Sequence, residues 1–205
     1  MTSHDLGPAT ARLATLVAGV PDDLLDAPTP CGDTTVGGLL DHIDGMACAF
    51  TAAARKATGE ATGPPPRPDA SHLGDDWRTR IPRALTDLAG AWREPDAWQG
   101  TTTAGGLEMP GEVAGLVALD EVVIHGWDVA KATGQPYGCD PPTLEATHGF
   151  VRQFAEPGQE AAREGLFGPV VEVPDSAPLL DRVIGLTGRD PAWSPARASD
   201  DHAPG

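Results

Sequence analysis

Glu121, His125 and Asp128 in the run DEVVIHGWDVA stand four and then three residues apart. On an α-helix those intervals fall on one face. A carboxylate and an imidazole four apart can reach a single ion together, and these ligand types suit zinc, iron, nickel or manganese. One helix supplies two such ligands, so a third has to come from elsewhere in the fold. His42, in LLDHIDG, stands three residues after Leu39 and four before Met46, on or beside the apolar stripe of its own helix. An unpaired polar group buried there would be costly, and a metal held between helices would give the imidazole a partner. The spacing leaves plainer readings open. A Glu and a His at i, i+4 also make a surface pair, and His42 also reads as a core histidine satisfied by a protein group. Asp128 either orients a ligand through a hydrogen bond or faces solvent.

The remaining reactive residues offer less. His4 and His202 stand near the chain ends, His72 in a proline-rich loop, and His148 on a predicted helix, where it reads as exposed. Cys31 lies just before the helix of His42. A helix N-terminus can lower a thiol pKa, but no base neighbours Cys31 in sequence, so it reads as a packing residue. The three cysteines, Cys31, Cys48 and Cys139, are odd in number and never spaced as CxxC. That excludes a disulfide framework and a cysteine-rich zinc site, and it fits a reducing cytoplasm. No GxSxG, Walker or HExxH motif occurs.

The elements that must position His42, Glu121 and His125 can be read from breakers and period. A first helix is predicted over 8–19, then a turn at 21–23 and a loop at 28–33. Thr34 or Thr35 can cap a second helix that runs from Val36 to about Thr58, with Leu39, Leu40, Ile43, Met46, Ala47 and Phe50 on its apolar stripe. Residues 59–72 are rich in Pro and Gly and predict a surface loop. A third helix is expected over 75–93, kinked at Pro82 or starting near it. Residues 97–109 predict a short extended excursion or hairpin. Pro110 suits the first position of a long helix that ends at Gly134, with Pro136 just beyond. A fifth helix is expected over 141–155, a strand over 165–174 and a short helix over 176–187. The outline is all-α: a bundle over 1–155, a small C-terminal α/β addition over 156–193, and a disordered tail over 194–205.

Bulk composition narrows the partners. The 205 residues suit one domain with a small appendage. Thirty acidic residues against fourteen basic ones give a net charge of -16. Such a surface repels phosphate backbones and anionic lipid heads, so neither nucleic acid nor a membrane is an expected partner. No basic head followed by an apolar run marks a signal peptide, and no apolar run is long enough for a membrane span. Only Lys56 and Lys131 stand against the many arginines, and Ala, Gly and Pro abound. A GC-rich genome, such as an actinobacterial one, imposes that bias.

The segments PTPCGDTTVGGLLDHI, GLEMPG and EVVIHGWDVAKATGQP together resemble the DinB-like metalloprotein superfamily, closest to the actinobacterial branch that includes mycothiol-dependent maleylpyruvate isomerase. The resemblance covers roughly 8–155, with a weaker echo in VVEVPDSAPLLDRVIGLTGRDPAW. It implies a four-helix bundle with a three-residue metal site at His42, Glu121 and His125, and a divalent metal, zinc first, with nickel or iron also compatible. It further implies mycothiol as cosubstrate and a small electrophilic molecule as substrate, in an S-transferase or isomerase, with a homodimer as a compatible assembly. A thiol-independent hydrolase or cyclase, or a non-catalytic metal-binding stress protein, are the competing expectations. The family often has Trp where this chain has Thr34, and Arg where it has Gly37.

Overall fold

The computed structural model describes residues 3–59, 63, 67–163 and 165–195. Four helices form the bundle: α1 (Gly7–Ala18), α2 (Val36–Ala54), α3 (Trp77–Trp92) and α4 (Gly111–Thr133). They pack as a ring in the order α1, α3, α2, α4, each touching two others. Leu13, Leu39, Ile43, Ile81, Leu85, Leu88, Val122 and Val123 fill the space between them. With few aromatic residues available, aliphatic side chains make most of this core, as burial of apolar area requires.

α2 starts because Thr35 lies in an extended conformation and its side chain accepts a hydrogen bond from the Gly38 N–H, 3.2 Å away. Such a cap contributes about 1 kcal/mol. The helix ends at Ala54, short of the expected Thr58. α3 carries Pro82 within its span, so the predicted start near the proline is not used. α4 is buried nearly all round, because α1, α2 and the next helix all cover it. Gly134 (φ +69) ends it in the left-handed conformation, as expected from the sequence.

Between α3 and α4 lies a hairpin of β1 (Thr101–Ala104) and β2 (Leu107–Pro110), with Thr101 opposite Pro110 and Ala104 opposite Leu107. Gly105 and Gly106 make its two-residue turn with φ of +59 and +81. Positive φ at both positions matches the twist of the strands and favours glycine. Thr102 fixes the hairpin to the bundle by donating to Ala53 O, 2.6 Å away.

At the base of α4, Gly115 is a close-approach position. A Cβ there would stand 2.5 Å from Trp98 Cζ3 and 2.9 Å from Trp92 Cζ3. Both indoles are buried, stacked edge-on, and held by Nε1 hydrogen bonds to Trp92 O and Phe50 O. Neither ring can yield cheaply. Gly115→Ala is therefore expected to destabilise by about 1–3 kcal/mol despite the better helix propensity of Ala. Denaturant unfolding checks this; a stabilised variant would show that the rings relax.

Beyond the bundle, α5 (Pro141–Val151) packs on α4, the short α6 (Glu160–Arg163) follows, and α7 (Leu179–Leu186) packs on α5. Residues 165–174, expected as a strand, run without strand pairing. Their link to α7 is one backbone bond, Val171 N–H to Gly185 O at 3.0 Å. The partner is a helix end, so no ladder can continue. Arg163 staples the same stretch, donating from Nε to Gly168 O (2.7 Å) and from Nη2 to Leu186 O (2.6 Å). The expected tail from 194 lies, past Pro195, outside the described residues, as does His202.

No helix among the described residues is long and apolar enough to cross a membrane.

Candidate metal centre

α4 presents Glu121 and His125 on one face, and α2 presents His42 to the same point. His42 Nε2 stands 3.0 Å from Glu121 Oε2, and His125 Nε2 stands 3.1 Å from that same oxygen. The two imidazoles meet edge to face, with centroids 4.7 Å apart. All three donor atoms lie within 4.8 Å of one another. Two imidazole nitrogens and one carboxylate oxygen, converging from two helices, form a donor set that a divalent ion fits.

Asp128, fully buried one turn along α4, takes part through its neighbour. His125 Nδ1 lies 2.9 Å from Asp128 Oδ2. A hydrogen bond there fixes the ring and leaves Nε2 facing Glu121. Asp128 is in turn held by Arg189, whose Nε donates to Oδ1 at 2.8 Å and whose Nη2 donates to Oδ2 at 2.8 Å. α7 delivers this arginine. Gly188 (φ +84) turns the chain past the helix end so tightly that a Cβ would stand 2.6 Å from Gly168.

The charges interlock. Burial favours neutral His125, but the hydrogen bonds with Asp128 and Glu121 outweigh it and push its pKa up to about 10. Burial likewise opposes the Glu121 charge. The two imidazoles overcome that and hold its carboxyl well below the usual carboxylate range. Burial also works against the Arg189 charge, and Asp128 more than restores it.

Asp120 behaves in the opposite way. It is buried beside Glu121, and Oδ1 has no hydrogen-bond partner among the described residues. Burial and the Glu121 charge raise its pKa to about 8. The folded chain thus holds this proton more tightly than the unfolded chain, and metal-free stability falls as pH rises from about 4 to about 8. Asp120→Asn mimics the protonated acid. It is expected to leave the melting midpoint unchanged at pH 5 and to raise it by about 3 °C or more at pH 9. Equal shifts at both pH values would contradict the assignment.

These groups line a cavity of about 230 Å³. His42, Asp120, Glu121, His125 and Arg189 form its polar end, while Leu39, Ile124, Pro68, Leu166 and Phe167 supply apolar walls. Thr34 and Cys31 also line it. Cys31, read from sequence as a packing residue, offers its sulfur within 4.8 Å of His125 and Asp128 donor atoms. No local pattern announced this, because its neighbours here come from α4 and from beyond α7. Gly37 packs where an arginine has no room: a Cβ would stand 2.8 Å from Ala70 Cβ and 3.2 Å from Leu25 O.

Of the other sequence candidates, His72 contacts Asp41 at the surface, 3.3 Å away. His4 lies tilted against the Trp98 ring, with centroids 5.9 Å apart. His148 is half-buried on α5 and lines a separate groove. None joins the site. Arg189 and Asp120 are the residues that sequence reasoning missed.

Comparison with known proteins agrees with this architecture. Two uncharacterized proteins of Mycobacterium tuberculosis, one each from strains CDC 1551 / Oshkosh and H37Rv, are 28% identical over 186 residues, covering 88% of this chain and 93% of theirs. The crystal structure of the mycothiol-dependent maleylpyruvate isomerase superposes with a TM-score of 0.63 at 18% identity, covering 92% of each chain. A histidine-to-alanine mutant of that enzyme gives 0.62 at the same identity and coverage. That likeness establishes a shared fold. The family model described as the mycothiol maleylpyruvate isomerase N-terminal domain matches residues 6–130, which take in α1, α2, α3 and all but the last turn of α4, together with His42, Glu121, His125 and Asp128. The match takes in more than half of the chain, and the chain belongs to that family.

Proposed function

We propose that the protein is a metal-dependent enzyme that uses a low-molecular-weight thiol, mycothiol, to transfer sulfur to a small electrophilic molecule or to isomerise it. The observation that carries this reading is the convergence of His42 Nε2 and His125 Nε2 on one Glu121 oxygen, in a cavity with room for a small molecule. His42, Glu121 and His125 would hold the ion, with zinc the first expectation. A bound divalent ion supplies a Lewis acid that lowers the pKa of a thiol or water brought to it. Asp128 holds His125 in the orientation that presents Nε2. Arg189 balances the Asp128 charge, and it also lines the cavity, where it can attract an anionic group on a substrate. Leu166, Phe167 and Pro68 exclude water from the opposite wall. The thiol sulfur would add to the electrophilic carbon of an activated double bond, whose π pair passes to the adjacent electron-withdrawing group and takes up the thiol proton. Retention of that bond gives S-transfer; rotation followed by elimination of the thiol gives isomerisation.

Membership of a family described by a mycothiol-using enzyme supports the thiol, and the convergent donor set supports the metal. The test begins with metal analysis of untagged protein. Mycothiol is then titrated into zinc-loaded protein, and thiol consumption is followed with a panel of small electrophiles. About one ion per chain, with saturable thiol binding and turnover that both need it, is expected. Metal-dependent turnover that ignores the thiol would replace this reading with a hydrolase or cyclase. No metal uptake at all would remove it.

A further inference from the structure

Carboxylates outnumber basic side chains by thirty to fourteen in this chain, so an arginine without an acidic partner runs against composition. Arg152 and Arg182 are two such residues. Neither makes an ion pair or a side-chain hydrogen bond among the described residues. Both line one groove of about 650 Å³ between α5, α7 and the extended stretch 170–174, and His148 lines it with them. Both guanidinium groups are close enough to act on His148. Burial, then the charges of Arg182 and Arg152, hold the His148 imidazole below its usual range. Glu172 and Asp175 also line the groove, yet neither closes an ion pair with either guanidinium. Guanidinium donors that no carboxylate closes stand open to an anion. The floor is apolar: Val171 and Leu186 form part of it, and Val170 stands 44% exposed at the edge. Its volume falls in the range of small-molecule sites.

We propose that this groove binds a small organic anion, with a carboxylate or phosphate head between Arg152 and Arg182 and a hydrocarbon body over the valines. The site is separate from the metal cavity, since the two share no described lining residue. It stands whether or not the thiol chemistry above holds. Forked guanidinium donors suit either oxyanion head. The valine floor distinguishes an organic anion from free phosphate, because only the former has methylenes to bury there.

The test titrates inorganic phosphate and hexyl phosphate into the full chain at constant ionic strength. The His148 ring signals are followed by NMR and affinities by calorimetry. Both probes are expected to shift His148 saturably and to raise its pKa, since a nearby anion favours the protonated ring. Hexyl phosphate is expected to bind about ten-fold tighter or more. Arg152→Gln with Arg182→Gln is expected to weaken both probes about ten-fold without moving the thermal midpoint, while Arg83→Gln, on exposed α3 surface, changes nothing. The proposal is overturned if His148 shows no saturable shift, if hexyl phosphate binds no tighter than inorganic phosphate, or if Arg83→Gln weakens binding as much as the double variant.

Discussion

His125→Ala protein, purified without a metal-affinity tag, is expected to carry less than about a tenth of the parent's metal and to lose thiol-dependent turnover by about 10³-fold or more. The side chain supplies one of three converging donor atoms and is 6% exposed. Two ligands, one each from the neighbouring helices α2 and α4, cannot enclose an ion without it. The fold should survive, because Asp128 keeps its two-pronged contact with Arg189 when the imidazole is gone. Circular dichroism and a denaturant curve serve as the control. His42→Ala is expected to lose metal to the same extent with less cost in stability, since His42 is only half-buried and its sole polar partner among the described residues is Glu121. Elemental analysis by mass spectrometry decides the matter. Full metal content in either folded variant would mean that the centre is not built from these three residues.

Glu121 and His125 were legible because one helix carries both, and a four-residue step on a helix is a spatial statement. His42 was legible because the apolar stripe of α2 fixes which way the intervening positions point. Gly105-Gly106 announced a hairpin for the same local reason: few other residues accept positive φ at two successive positions. What stayed hidden was long-range. Arg189 reaches Asp128 across 61 residues, and an arginine after a glycine in a short C-terminal segment has no pattern to betray a buried partner. Asp120 looked like one more acid in an acidic chain; only the packing of α4 inside the ring buries it. The valine-rich stretch at 170–173 reads as a strand, since its composition says nothing about whether a partner strand exists. Here the neighbour is the end of α7, and a single backbone bond is all that such a neighbour can offer. Cys31 likewise gains its setting from elements far away in the chain.

Arg189→Met tests whether this long-range contact sustains the centre or merely accompanies it. Asp128 has no exposed surface, and Arg189 gives it two guanidinium contacts at 2.8 Å. Removing one partner of a buried pair leaves an uncompensated charge, which typically costs about 3–5 kcal/mol. In the metal-free chain the cost should fall at the low end, about 3 kcal/mol, because protonated His125 still faces Asp128 from the other side. A solvent-exposed pair would cost under about 1 kcal/mol, so denaturant unfolding separates the two cases. Metal affinity should fall as well, by about 10–100-fold, because an Asp128 carboxylate no longer pinned by Arg189 can shift and carry the His125 ring out of the orientation it now has. Competitive zinc titration measures that loss. Adding Asp128→Asn to Arg189→Met removes the stranded charge, and stability should return most of the way. Affinity should not return with it: a neutral amide beside His125 Nδ1 lacks the charge that makes the ring a strong donor to a metal. Recovery of stability without recovery of affinity would establish that the C-terminal arginine serves the metal centre through Asp128. Recovery of both would reduce Arg189 to a neutraliser of a buried acid, and a loss of stability with affinity untouched would detach it from the centre altogether.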